Sequence, residues 1–214
     1  MLKPLLVLMT RWPAANRCKT RLANEIGAFR AAKIQQKLTS HTIEVSKVLK
    51  EKNSIEIKLA VEGIGKKRIT SWAKKHSIEK SSPQGGGNLG VKMKRQVIFS
   101  QRGGGQRLKG NRDVIVIGAD LANIYPDEIV LAFTYLRKNK LVIGPSSDGG
   151  YWLIGFSKDI ISPYMYWPFS GINWGEDSVL EETIERARLK DINYKLINEK
   201  NDIDLISDLI SWQS

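Results

Sequence analysis

The chain has 214 residues, 42% of them hydrophobic and 26% charged, proportions that exclude both wholesale disorder and a membrane-embedded chain. Its 34 Lys and Arg against 22 Asp and Glu give a formal charge of +12, which favours acidic partners such as nucleotides, phosphates, nucleic acid or anionic lipid without choosing among them. One cysteine, Cys18, excludes an internal disulfide, and only two histidines, His41 and His76, exclude a soft-ligand zinc site, so any metal would be held by oxygen.

No apolar run is long enough to span a bilayer, and the start, Met1 to Met9, is interrupted by Lys3 and Pro4 and lacks a cleavage site. A cytoplasmic protein with a single domain over 1–214 is expected. In chain order, Leu5 to Met9 is wholly apolar, as in a strand buried on both faces. Asn24 to about Lys52 has helical spacing and reads as one long helix or two abutting ones. Ile55 to Val61 alternates like a strand, and Lys66 to His76 reads as a helix. Ile78 opens a segment into Gln84-Gly85-Gly86-Gly87, after which Asn88 can cap a helix running to about Gln101, ended by Gly103-Gly104-Gly105. Val114 to Gly118 is the clearest strand, and Pro126 suits the first position of the next helix. Two apolar runs, Leu141-Val142-Ile143 and Tyr151 to Phe156, flank Asp148-Gly149-Gly150, a hairpin signal. An aromatic loop follows, containing Tyr164 to Phe169, a platform or lid for an acceptor or plain packing. A helix from about Asp177 to Leu189, a strand from Ile192 to Ile197 and a helix from Leu205 to Trp212 complete the chain. Strands separated by helices imply a mostly parallel sheet flanked by helices.

In such a sheet, ligands bind beyond the carboxyl ends of the strands. The loop after the first strand carries Arg11, Arg17, Lys19 and Arg21 and runs into a helix, an arrangement suited to a di- or triphosphate, or else a solvated basic loop. Asp120 lies just past Gly118, and Asp148 just past the strand ending near Gly144. If those strands are neighbours, both carboxylates overlook one crevice and would suit Mg²⁺, which takes one or two carboxylates plus substrate phosphates. Gly149 and Gly150 would then let the backbone pass close to a ligand. Taken singly, each Asp is also a plausible turn or cap residue. Cys18 is an incidental loop thiol, and both histidines lie in helices where structural roles are expected.

"KTRLA" (19–23), "NLGVKM" (88–93), "VIGADL" (116–121), "GPSSDGGYWLIGF" (144–156), "INWGEDSVLEET" (172–183) and "DIDLISDL" (202–209) run in this order over essentially the whole chain. The set resembles a small bacterial glycosyltransferase-like family of GT-A fold that includes radical-SAM/selenodomain-associated transferases. It is more distantly similar to 2-phospho-lactate guanylyltransferase and other nucleotidyltransferases. The resemblance implies a single-domain α/β, nucleotide-diphospho-sugar transferase-like fold, with a nucleotide-sugar donor, an unknown acceptor, and Mg²⁺ or Mn²⁺. Arg11, Lys19 and Arg21 would contact the donor phosphates and Asp120 would hold the metal, with Asp148 as a second carboxylate. Gly149, Gly150, Trp174 and Glu176 would line the substrate; Asp177, or else Glu176, is the candidate base, and Asp148 is a second catalytic candidate. For "WGED" the alternative is a helix cap. The chain departs from the family at Ala14-Ala15-Asn16, where Gly is usual, at Asn88 and Lys92, where Asp and Arg are, and at Leu121-Ala122, where a Cys- or Ser-Pro pair is.

Glycosyl transfer is the first expectation, and nucleotidyl transfer, releasing pyrophosphate, the alternative. A GT-A scaffold that has lost its chemistry and binds nucleic acid or a protein comes last, because stacking aromatics are not interleaved with the basic runs.

Overall fold

The computed structural model describes residues 2–51, 55–102, 112–160, 170–204 and 206–213. The Gly triplet at 103–105 and the aromatic run at 164–169 lie outside these residues.

The apolar runs become the centre of a sheet. Strand β1 (Leu5–Arg11) sends Leu6 and Leu8 into one apolar cluster and Leu5, Val7 and Met9 into another on the opposite face, as strand alternation requires. Strands β2 (Glu56–Glu62) and β4 (Val114–Gly118) flank it in parallel register, and β3 (Lys80–Pro83) extends the β2 edge. On the other side come β5 (Leu141–Pro145), β6 (Tyr151–Phe156) and β7 (Tyr194–Leu196), giving a seven-stranded sheet of order β3-β2-β1-β4-β6-β5-β7. The Ser146 to Gly150 connection is far shorter than a parallel crossover needs, so β6 must turn back antiparallel to β5. It also pairs antiparallel with β4, and it alone runs against the other strands.

This order corrects one expectation. The strands that end before Asp120 and Asp148 are not neighbours, because β6 lies between them; they do remain parallel, with their carboxyl ends on the same side of the sheet.

Helices cover both faces. α2 (Ala28–Glu51), α3 (Lys66–Lys75) and α5 (Pro126–Tyr135) supply Ile43, Leu49, Ile69, Ile129 and Ala132 to the first cluster. α4 (Leu89–Arg102) and α6 (Val179–Leu189) supply Met93, Val97, Val179 and Ala187 to the second. Each fully buried Leu or Ile contributes about 1.5–3 kcal/mol. The stretch expected as one helix or two is two: α1 (Thr20–Ile26) ends at Gly27, whose φ of 86° an L side chain rarely adopts, and α2 begins one residue later. Leu22, Leu38 and Ile203 join Leu209 of α7 (Ile206–Gln213) in a third, smaller cluster that anchors the end of the chain beside the first helices.

A buried polar seam ties α2 to the sheet where the site lies. Thr10 and Thr39 share a hydroxyl hydrogen bond of 3.0 Å, and Gln35 Nε2 donates to the Ala119 carbonyl at 3.4 Å. These contacts set the backbone on either side of Ala119, and hence the start of the loop that bears Asp120.

Candidate functional site

Beyond the carboxyl ends of β1, β2 and β4 opens a cleft of about 500 Å³. Arg11, Lys19, Thr20 and Arg21 line one part of it, Glu62, Gln84 and Lys92 another, and Asp120, Asp202 and Asp204 a third.

Lys19 lies at the centre of the charged groups. It takes the left-handed conformation, φ 48° and ψ 50°, immediately before α1, and its side chain is only 3% exposed. Its ammonium lies 3.4 Å from Asp120 Oδ2 and 3.0 Å from Asp204 Oδ1. Burial works to lower its pKa, but Asp120, Asp204 and Asp202 outweigh burial and hold it above the ordinary lysine value.

Asp202 is the unusual group. Burial first, then the neighbouring charge of Asp120, pushes its carboxyl up to about 8, with Lys19 opposing and Asp148 and Asp204 adding to the rise. Its Oδ1 is buried without a hydrogen-bond partner among the described residues. Ile203 N–H donates to the Asp120 carbonyl at 3.4 Å, which holds the Asp202–Asp204 limb against the loop after β4.

The cationic rim has its own restraints. Arg11 stands 3.8 Å from Glu62, which also binds Lys92, and Arg21 lies 3.9 Å from Asp204. Arg17, grouped with them on sequence, donates instead to the Gly63 carbonyl at 3.1 Å. Cys18 is buried, and burial raises its thiol pKa despite Lys19 and Arg11 nearby, as suits an incidental thiol.

The expected site residues therefore fall into two groups. Arg11, Lys19, Arg21 and Asp120 meet in the cleft. Asp148, Gly149, Gly150, Trp174, Glu176 and Asp177 are absent from its lining and form an adjacent shoulder built on the β5–β6 turn. There Asp148 Oδ1 accepts from Gly150 N–H at 3.0 Å, the use a turn makes of an Asp. Gly149, at φ 81°, allows a close approach to Asp177: a Cβ on it would sit 1.9 Å from the Asp177 carbonyl oxygen. Trp174 packs on Gly90 and meets Tyr151 edge to face at 6.3 Å. Tyr151 in turn lines the cleft, which makes this shoulder its supporting wall.

Asp202 and Asp204 are the functional candidates that sequence reasoning left without a role. The signals were the place of both residues in "DIDLISDL", one of the stretches that carry the resemblance, and their spacing just ahead of the last helix, where an Asp ordinarily caps; there Asp204 N–H bonds Asp208 Oδ2 at 2.9 Å.

The carboxylates fit a divalent cation of one particular kind. Among the described residues no three His, Cys, Asp or Glu side chains converge as a protein-only metal cage. Asp120, with the unpartnered Oδ1 of Asp202 beside it, offers the one or two carboxylates that Mg²⁺ takes when substrate phosphates complete its shell.

The family model described as "Uncharacterized protein conserved in bacteria (DUF2064)" matches residues 45–176, which include Asp120 but neither Lys19 nor Asp202. No curated protein matches the chain. Among solved structures, a provisionally assigned nucleotide-diphospho-sugar transferase from Desulfovibrio desulfuricans G20 is similar over 98% of this chain and 85% of its own, at TM-score 0.84 and 24% identity. A 4-diphosphocytidyl-2C-methyl-D-erythritol synthase from Anaerococcus prevotii DSM 20548 is similar over 98% and 96%, at TM-score 0.60 and 16% identity. A provisionally assigned glucose-1-phosphate thymidylyltransferase from Bacillus anthracis, solved with sucrose, covers 98% and 93%, at TM-score 0.58 and 11% identity. At these identities the likeness is one of fold: a GT-A-like α/β domain with a mostly parallel sheet.

Proposed function

This chain belongs to the DUF2064 family of uncharacterized bacterial proteins, and from its cleft we propose a nucleotide-dependent transferase that passes a nucleotidyl group from a nucleoside triphosphate to an anionic acceptor. The observation that carries this reading is Lys19, a buried ammonium set between Asp120 and Asp204 beside the partnerless oxygen of Asp202, with a cationic rim around it. Positive and negative groups this close suit a phosphate chain that bridges a cation and an ammonium.

In this reading Asp120 and Asp202 would hold Mg²⁺ or Mn²⁺, with Asp204 completing the acidic wall. The bound cation supplies charge neutralisation at the phosphate oxygens. Lys19 offers its ammonium to the α-phosphate as negative charge builds there, and Arg11, Arg21 and Lys92 hold the remaining charge of the triphosphate and the acceptor. An acceptor oxygen attacks the α-phosphorus, the bond to the β-phosphate oxygen breaks, and pyrophosphate leaves.

Two observations favour this over glycosyl transfer, the first expectation. A phosphate or carboxylate acceptor is already ionised and needs no general base, and the carboxylate nominated as base, Asp177, does not line the cleft. One of the similar folds also carries a thymidylyltransferase name, and another that of a diphosphocytidyl-methylerythritol synthase. The Desulfovibrio likeness keeps transfer from a nucleotide-sugar as the second reading.

The test is thermal stability with nucleoside triphosphates, nucleoside diphosphates and nucleotide-sugars, each with and without Mg²⁺. A ligand at 100 times its dissociation constant adds about 2.7 kcal/mol, which in a domain of this size raises Tm by roughly 5–10 °C. A metal-dependent shift selective for triphosphates, lost in a folded Asp120→Asn variant, is the expected result. A shift with a diphosphate and its sugar conjugates alone transfers the proposal to glycosyl transfer, and no shift with any nucleotide overturns both.

A further inference from the structure

Between β7 and α7 the described residues of the limb that carries Asp202 and Asp204 form neither helix nor strand beyond an isolated bridge at Lys200, yet the limb must hold carboxylates in place. One side chain joins it to a second loop. Lys200, only 10% exposed, reaches across the ends of the strands to the loop after β4, the loop that bears Asp120. There its ammonium donates to the Asn123 carbonyl and pairs with Glu128 at 2.7 Å. The rings of Tyr125 and Trp152 each lie 5.4 Å from it, so the charge sits between two aromatic faces.

The Lys200 backbone is pinned at the same time to the other side. Its N–H donates to the Pro145 carbonyl at 3.0 Å, and its carbonyl accepts from Ser147 N–H at 3.2 Å, in a parallel bridge with the end of β5. Trp152 Nε1 donates to the Asn198 carbonyl at 3.0 Å, so the indole under the ammonium holds the same limb. Glu128, besides pairing with Lys200, accepts from Tyr125 N–H at 3.0 Å at the start of α5. Lys200 thus links three pieces of backbone: the end of β5, the limb leading to Asp202, and the loop leading from Asp120 into α5. Two residues farther along the limb is Asp202, and at Ile203 the limb touches the Asp120 carbonyl.

We propose that Lys200 is a positioning residue for the carboxylate site: by tying the limb of Asp202 and Asp204 to the loop of Asp120, it sets the spacing of the side chains that hold the cation and the phosphates. The proposal rests on the functional reading above for its consequence, though not for its geometry. Lys200 touches neither the candidate ligands nor Lys19. Its effect passes through the backbone; groups that hydrogen-bond metal ligands directly cost about 10–100-fold in affinity when lost, and that range sets the scale for it.

The test uses Lys200→Met, which keeps the length of the stem and removes the charge, and Lys200→Arg, which keeps the charge. Hydrogen exchange at the Ile203 amide reports the docking of the limb without any ligand. Calorimetry with Mn²⁺ and a nucleoside triphosphate reports the site. In Lys200→Met the Ile203 amide is expected to exchange about tenfold faster or more while the amides of β4 keep their wild-type rates, and metal-dependent nucleotide affinity to fall about 10–100-fold. Lys200→Arg should retain most of both. A folded Lys200→Met protein with wild-type exchange at Ile203 and wild-type affinity overturns the proposal. So does a global rise in exchange that includes β4, since that marks a stability role alone. If Lys200→Met does not fold, Glu128→Gln, which removes the ion pair and leaves the carbonyl contact, is expected to give the same local pattern at smaller size, and an unchanged Ile203 amide there overturns the proposal. A wild-type protein that binds no nucleotide refutes the functional reading, while Ile203 exchange still decides whether Lys200 docks the limb.

Discussion

Asp202 makes a stability prediction that requires no substrate. Its carboxyl is pushed up to about 8 by burial and then by Asp120, whereas in the unfolded chain it titrates near 4. Between those values the folded protein binds the additional proton, so its stability falls as pH rises from about 4 to about 8 and the penalty is complete above that. Asp202→Asn removes the titration while keeping the shape. In metal-free buffer the variant should match wild type near pH 3 and exceed it at pH 9 by an amount on the order of a few kcal/mol, read as Tm. Equal Tm values at pH 9 would mean that Asp202 is not held in a charged, buried cluster. With Mg²⁺ and nucleotide present the order should reverse, because the variant has lost a carboxylate. From sequence, Asp120 and Lys19 were legible as candidates because each follows a buried strand, where open α/β sheets place ligands. Asp202 and Asp204 follow a short edge strand and precede a helix, and an Asp there is ordinarily a cap. The burial of Ile203 in one apolar cluster with Leu22 and Leu38, and its N–H against Asp120, help to turn them toward the cleft.

The hairpin of β5 and β6 has consequences for the element it supports. Gly149 combines a φ of 81° with contact against the Asp177 carbonyl, and Leu180 N–H donates to the Gly149 carbonyl at 2.8 Å, so the turn and the start of α6 are docked backbone to backbone. Gly149→Ala must strain the turn and push α6 away, at a cost of about 3 kcal/mol or more, a Tm loss of roughly 6–12 °C. Gly150→Ala is the control: its nearest neighbour is Asp148 Oδ1 at 3.2 Å and its φ is not positive, so a loss under about 1 kcal/mol is expected. Comparable denaturation midpoints for the two would refute the docking role. The strands β1 and β4, and α5 from Pro126, are plain in the sequence because burial on both faces leaves an unbroken apolar run and Pro marks the first helical turn. The hairpin signal at Asp148-Gly149 was also legible. What local pattern could not reveal is that β6 slots between β4 and β5, since strand order is settled by long-range packing. The four-residue β3, polar and at the sheet edge, carries too little apolar pattern to announce itself as a strand.

For the whole molecule, a net charge of +12 permits two kinds of anion binding that differ in their salt dependence. A chain that merely drapes phosphates over scattered surface cations releases counterions, and with six to ten phosphate contacts its affinity for nucleic acid falls by about 10³–10⁵ between roughly 50 and 200 mM salt. A triphosphate in the cleft meets instead a buried ammonium and carboxylates, which salt screens far less. Its affinity should therefore fall by no more than about tenfold over the same range, and a chelator should abolish it, because without a cation Asp120 and Asp204 repel the phosphates. Isothermal titration with one nucleoside triphosphate at both salt concentrations, with and without chelator, separates the cases. Binding that survives the chelator and collapses with salt would place the phosphates on the outer surface, and the conserved shape of the fold would then serve a scaffold and not a transferase.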